Sequence, residues 1–161
     1  MDSLSSRLAS PEGAVCSYAG VNYRQHYVQL LRRHPAPAEA IAELGLFRFW
    51  LACRACSHAA GDDDAMPLQW PAGWPLPRHV AGFDVEYVLG ARLNHLLDSR
   101  CDLYDRFFLL GRNADDPLGL DAAALALACQ LFVDPPMLMR HWLRLDVHAV
   151  FEHVLRCCTP R

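Results

Sequence analysis

The longest helical pattern in the chain is Ala38–His58, with the sequence AEAIAELGLFRFWLACRACSH. Its apolar residues recur every three or four positions, which places them on one face of a helix: Ile41, Leu44, Phe47, Leu51 and Ala55. We expect Arg48 and Arg54 to lie on or near the solvent side of this helix. Because helical spacing also dominates the rest of the chain, the sequence predicts an all-α protein.

Upstream of this helix, apolar residues recur at helical spacing from Asn22 to His34, and Pro35 and Pro37 end that element. Residues 1–20 are predicted to form a flexible leader. The domain itself is therefore expected to begin at about residue 21.

Downstream, residues 61–64 form an acidic break. Residues 66–77 (MPLQWPAGWPLP) contain too many prolines for a helix or a central strand. We expect this proline-rich segment to follow the surface in an extended form.

The remaining sequence predicts further helices at about residues 83–98, 101–110, 122–133, 137–143 and 146–155. Apolar residues alternate over residues 83–88, so a short strand is an alternative there. Asp121 and Asp146 are predicted N-caps, because their carboxylates can accept hydrogen bonds from first-turn amides. The whole pattern predicts a single-domain bundle of about six or seven helices over residues 21–161.

Composition narrows the functional classes. The 161 residues are 53% hydrophobic and 20% charged, enough for one domain with a sizeable core. A formal net charge of -3 offers no basic field for nucleic acid or an anionic membrane, and no apolar run is long enough to span a bilayer. Seven cysteines without a secretory signal indicate reduced thiols in the cytoplasm or nucleus.

All 15 basic side chains are arginine. A GC-rich genome, such as that of a large DNA virus or a high-GC bacterium, is the simplest explanation. The alternative is functional, since a protein that works beside ubiquitin ligases gains by lacking lysine acceptors.

Cys53, Cys56 and His58 form a C-x-x-C-x-H pattern, and thiolates three residues apart on a helix can bind zinc together. The pattern is incomplete, so further ligands would have to come from elsewhere, with Cys157 and Cys158 or a histidine as candidates. We favour the explanation that the two helical cysteines are core residues. A small zinc- or thiol-dependent enzyme remains an alternative function, although no complete catalytic or phosphate-binding motif occurs.

Asp98, Asp102 and Asp105 recur at helical spacing and could present carboxylates to a divalent metal. Arg100 lies between the first two, and Arg106 directly follows the third. An ordinary charged helical face is therefore the favoured interpretation.

Residues 124–133 (ALALACQLFV) contain a small residue, Leu125, three residues, Cys129, three residues and Val133. These three anchors would lie on one helical stripe, as a helix-in-groove contact requires. The segment resembles the elongin BC-binding box of the SOCS-box and von Hippel-Lindau families of ubiquitin-ligase substrate receptors. An ordinary buried helix is the alternative: it would bury Leu125 and Cys129 completely, whereas an adaptor would leave both accessible.

The segment that follows extends the resemblance. Residues 135–143 (PPMLMRHWL) look like a cullin-selecting box, with Val133 and Asp134 replacing its usual leucine and proline, and residues 144–147 (RLDV) resemble the start of the last helix of the von Hippel-Lindau α-domain. The resemblance implies that the C-terminal helices hold the ligase while residues 1–110 hold a target. It implies partner contacts at Leu125, Cys129, Val133, Pro136, Met139 and Leu145.

The sequence thus predicts a protein-protein interaction module. In its specific form the module is a virus-encoded adaptor that recruits elongin BC and a cullin. The alternative within this class is a viral helical bundle that modulates host apoptosis or signalling by sequestering a partner helix in a surface groove.

Overall fold

The computed structural model describes residues 33–63, 79–80, 83–84 and 93–158. Within these residues lie four helices and one hairpin of two short strands. In chain order they are α1 (Pro37–Ala59), β1 (His79–Val80), β2 (Phe83–Asp84), α2 (Leu93–Leu110), α3 (Leu120–Leu131) and α4 (Met137–Cys158). The strands are antiparallel, with Val80 opposite Phe83. The all-α class predicted from the sequence is confirmed.

The predicted number of six or seven helices is not confirmed. Residues 93–110 form one helix where the sequence predicted a break, and residues 137–158 likewise form one helix. Neither range contains a glycine or proline that would end a helix. The predicted leader, residues 22–32 of the predicted helix at residues 22–34, and the segment at residues 66–77 lie outside the described residues. Arg33 and His34, at the end of that predicted helix, lie in a turn and a bend.

Helix α1 is the centre of the fold. Its proline at the first turn and the left-handed Gly61 (φ 77°) just beyond its end favour these boundaries, which extend the predicted range by one residue at each end. All residues from 44 to 55 are buried. The helix contacts α2, α3, α4 and the hairpin, so it has no solvent side over this stretch.

The prediction that Arg48 and Arg54 face solvent is therefore wrong. Both guanidinium groups are buried, and each is paired with an aspartate from another helix. Arg48 donates to Asp146 of α4 at 2.5 Å, and Arg54 donates to Asp105 of α2 at 2.7 and 2.8 Å. Asp146 consequently lies inside α4 as an ion-pair partner, which corrects its predicted role as an N-cap.

The three aspartates of α2 do not form one carboxylate face. Asp98 and Asp102 are exposed, whereas Asp105 is buried. The Asp105 Oδ1 atom also accepts a hydrogen bond from Trp50 Nε1 at 2.7 Å. Asp105 is thus a structural partner of α1.

Two glycines allow α2 and α3 to approach closely. A Cβ atom at Gly111 would overlap the Cβ of Ala122 and lie 2.6 Å from the Phe107 carbonyl oxygen. Gly119 has a φ of 72°, and a Cβ there would overlap the backbone of Phe108. The connection therefore fits only glycine at these two positions.

The sequence predicted that Asp121 caps α3. The cap comes instead from the connection between α2 and α3. The carboxylate of Asp116 accepts hydrogen bonds from the amides of Leu120 at 3.0 Å and Asp121 at 2.7 Å. This satisfies two first-turn donors, so α3 begins at residue 120. Asp121 lies in the first turn and accepts hydrogen bonds from Arg144 and His148 of α4.

Candidate protein-interaction surface

Helix α3 has one buried side and one exposed side, and the exposed side includes apolar residues as well as the polar Gln130. The buried side consists mainly of alanines, whose small side chains let α3 pack closely against α4 and α2: Ala123, Ala124, Ala126, Leu127, Ala128 and Leu131. On the other side, Leu125 is 44% exposed and Cys129 is also exposed. Core packing therefore does not explain these two residues, and the structure leaves them accessible as an adaptor requires.

Val133 does not continue the helical stripe. Helix α3 ends at Leu131, and Phe132 has an extended backbone with φ −140° and ψ 141°. The side chain of Val133 is fully exposed beyond the helix end. The predicted row of three helical anchors therefore has two members in the helix and one in the following turn.

The remaining predicted contact residues differ in their exposure to solvent. Pro136 and Leu145 are exposed, whereas Met139 is fully buried in the core. Met139 cannot touch a partner in this structure. Two exposed residues that the sequence reasoning missed, Met137 and Leu138, lie in the same first turn of α4.

An apolar groove of about 470 Å³ lies where the end of α2 meets α3. Its lining consists of Arg106, Phe107, Leu110, Gly111, Ala122 and Leu125. Phe107 is 41% exposed and Leu110 is 85% exposed. We call this feature the α2–α3 groove.

One stretch of sequence bears on this groove. Residues 107–110 read FFLL, and four consecutive apolar side chains on a helix cannot all face the same core. In the structure Phe108 is buried, while Phe107 and Leu110 point to the groove. Without the position of α3, however, the run does not reveal what lies opposite.

The predicted zinc ligands are not gathered into a site. Cys53 is buried, while Cys56 and His58 are half-buried. The Nδ1 atom of His58 lies 2.6 Å from a carboxylate oxygen of Asp63. No group of three ligand atoms that could hold a metal forms around these residues within the described part of the chain.

A different group brings Asp116, Asp121 and His148 together, with ligand atoms within 4.8 Å of one another. Each member already has a structural role, because Asp116 caps α3 and Asp121 accepts from His148 at 2.7 Å and from Arg144 at 3.0 Å. Burial opposes ionisation of Asp121, but these two donors outweigh it, and the pKa of its carboxyl lies below the usual value. The arrangement therefore serves to join α4 to the start of α3.

The chemistry of Cys101 bears on the alternative of a thiol enzyme. This side chain is buried in α2, and both its burial and the charge of Asp105 raise the pKa of its thiol. A thiol held in its protonated form is a poor nucleophile. Cys101 is thus suited to the core and not to catalysis.

The described helices include none with the length and apolar character needed to cross a membrane. Comparison of the chain with protein-family models, with curated proteins and with solved structures finds no match.

Proposed function

We propose that this protein is a protein-protein interaction module that recruits an elongin BC-cullin ubiquitin ligase through the exposed side of α3. The observation that carries the proposal is the exposure of Leu125 and Cys129 on a helix whose other side is buried. These two residues occupy the leucine and cysteine positions of the segment that resembles an elongin BC-binding box. Apolar anchors one helical turn apart are what a partner groove recognises.

Other residues of the predicted contact set lie after α3 in the chain. Val133, Pro136 and Leu145 are accessible for the contacts that the resemblance implies, and Met139 is excluded by its burial. In the proposed arrangement the C-terminal helices hold the ligase, and residues 1–110 hold the target. The accessibility of Leu125 and Cys129 on α3 supports this arrangement.

The proposed location is the cytoplasm or the nucleus. The five described cysteines form no disulfide with one another, and Cys129 lies exposed on the proposed surface. A thiol that must stay reduced to fit a partner suits a reducing compartment.

A second candidate function, the alternative that the sequence predicts, is a helical bundle that sequesters a partner helix. The observation that favours it is the α2–α3 groove, whose walls are apolar and open to solvent. Both candidates use Leu125, which belongs to the exposed row of α3 and also to the groove lining. No arrangement of catalytic groups among the described residues favours the enzyme alternative over either.

The test is affinity purification of the tagged full chain from mammalian cells, with bound proteins identified by mass spectrometry. The wild type is compared with the double variant Leu125→Ala/Cys129→Ala. The control Asp98→Ala/Ser99→Ala replaces two exposed side chains of α2, outside the C-terminal helices that are proposed to hold the ligase. We expect the wild type and the control to recover elongin B, elongin C and a cullin.

The Leu125→Ala/Cys129→Ala variant should lose this recovery, because removing an interface anchor costs about 2 kcal/mol or more, a loss of about thirtyfold in affinity. Its fold should be preserved, since surface substitutions usually change stability by no more than about 0.5 kcal/mol. Circular dichroism and thermal melting check this point. Absence of elongins from the wild-type sample would overturn the proposed function.

A further inference from the structure

We infer that the α2–α3 groove binds an amphipathic helix of a partner protein, one that inserts a bulky apolar side chain and carries a carboxylate beside it. This inference rests on the proposal that this side of the molecule binds a protein, but not on which protein that is. It adds the end of α2 to the contact surface and states the chemistry of the partner.

The construction of the groove explains why it takes a bulky apolar group. Its floor is made of Gly111 and Ala122, where the two helices touch, and its walls are Phe107 and Leu110 on one side and Leu125 on the other. Small residues below and large residues at the sides leave a concave space. All three wall residues remain substantially exposed to water, and contiguous exposed apolar surface is typical of binding sites.

The lining also indicates that the occupant is a helix. It is almost entirely apolar and offers few backbone or side-chain groups that could accept or donate hydrogen bonds. An extended peptide would lose hydrogen bonds with water there without replacement, whereas a helix satisfies its own backbone groups. Beyond the groove, the exposed apolar side chains of α3 continue from Leu125 to Cys129 one turn later, so a helix lying along α3 would meet apolar side chains at successive turns.

The charge at the rim specifies the carboxylate. Arg106 is the one charged residue in the lining, and 63% of its side chain is exposed. Its partner within the protein is Asp102, one turn earlier on α2, at 3.0 Å in a similarly exposed ion pair. Such a pair contributes little to stability, so a carboxylate from a bound helix can compete for Arg106.

The inference is tested with the purified full chain and two synthetic peptides of about 15 residues, or about four helical turns. Both peptides carry leucines at i, i+3 and i+7 of a helix-favouring sequence. They differ only in the residues flanking the leucines, which are glutamate in one and arginine in the other. Binding is measured by fluorescence anisotropy of the labelled peptides.

The glutamate peptide should bind the wild type about tenfold more tightly than the arginine peptide, because the flanking charge changes from attraction to repulsion at Arg106. Arg106→Glu should reverse this order, and Leu110→Ser should weaken both peptides about tenfold. Two control variants on α4, Arg156→Glu and Leu138→Ser, make the same changes away from the groove and should leave binding unchanged. Circular dichroism verifies that each variant is folded.

Three results would overturn the inference: no binding of either peptide, equal binding of both, or equal effects of the groove and control variants. The assay contains no elongin and is therefore independent of the purification experiment. Binding of the glutamate peptide together with failure to recover elongins would reject the ligase assignment alone. Recovery of elongins without peptide binding would reject only the groove inference.

Discussion

The guanidinium of Arg54 lies inside the protein between a carboxylate and an aromatic ring. It donates to the Asp105 carboxylate, and its central carbon lies 5.2 Å from the centre of the Phe108 ring. Trp50 shares the same carboxylate oxygen. Because a buried charge is costly unless it is paired, this group of residues favours one register between α1 and α2 over others.

Replacing Asp105 with alanine should therefore destabilise the protein strongly. The change leaves the buried Arg54 charge and the Trp50 N–H without their shared acceptor, so we expect a loss of about 3 to 5 kcal/mol in the free energy of unfolding. Urea denaturation followed by circular dichroism measures it. The matched control is Asp102→Ala, which breaks an exposed pair and should cost no more than about 1 kcal/mol. Equal losses in the two variants would contradict the assigned role of Asp105.

Asp121 predicts a pH dependence of stability. Its lowered pKa means that the folded protein favours the ionised carboxylate, so the stabilisation is present above the ordinary value of 3.8 and is lost as the pH falls through the folded value. The difference in free energy of unfolding between wild type and Asp121→Asn should accordingly be larger at about pH 5 than at about pH 3. Denaturation series at both pH values provide the measurement. The variant His148→Gln, which removes one donor, should reduce this pH-dependent difference; a difference that grows on acidification would refute the assignment.

At the scale of the elements, the α2–α3 connection determines the groove. Gly111 allows the end of α2 to touch Ala122, and Asp116 fixes where α3 begins. Two residues of the connection therefore set the position of the groove floor. The distance between the two helices then sets how far apart the side chains of the groove walls stand.

Gly111→Ala should move these helices apart. The added Cβ would overlap Ala122 and approach the Phe107 carbonyl to 2.6 Å, which should cost about 1 to 3 kcal/mol. The comparison variant is Gly61→Ala, where the Cβ meets no atom within 4 Å and only the left-handed backbone opposes it, at about 1 to 2 kcal/mol. Differential scanning calorimetry and binding of the glutamate peptide measure both effects. Loss of peptide binding only in Gly111→Ala is expected, and unchanged binding there would show that the groove does not depend on this contact.

Sequence patterns predicted the bounds of a helix well where the residues that end the helix lie next to its ends in the sequence. The boundaries of α1 were predicted to within one residue, because Pro37 and Gly61 mark them in the sequence. The start of α3 was predicted two residues late, because its cap is supplied by Asp116, which lies four residues before the helix start. The false break before Asp146 arose for a related reason: its partner Arg48 is 98 positions away in sequence.

At the scale of the whole molecule, the sequence predicted the all-α class of fold but not the arrangement of the helices. Whether Arg54 faces water depends on how many neighbours surround α1, and periodicity along one helix does not contain that information. The α2–α3 groove was missed for the same reason, since its walls come from two helices. Sequence spacing does identify residues that share one stripe of a single helix, such as Leu125 and Cys129.

The five described cysteines differ in accessibility in a useful way. Cys53 and Cys101 are buried, Cys56 and Cys157 are half-buried, and Cys129 is exposed. An alkylating reagent therefore has its most accessible target among these at the middle of the proposed surface, one turn from Leu125. The thiol of Cys129 is a built-in footprinting site, whose rate of alkylation, resolved peptide by peptide, reports in a crude cell extract whether this face of α3 is covered.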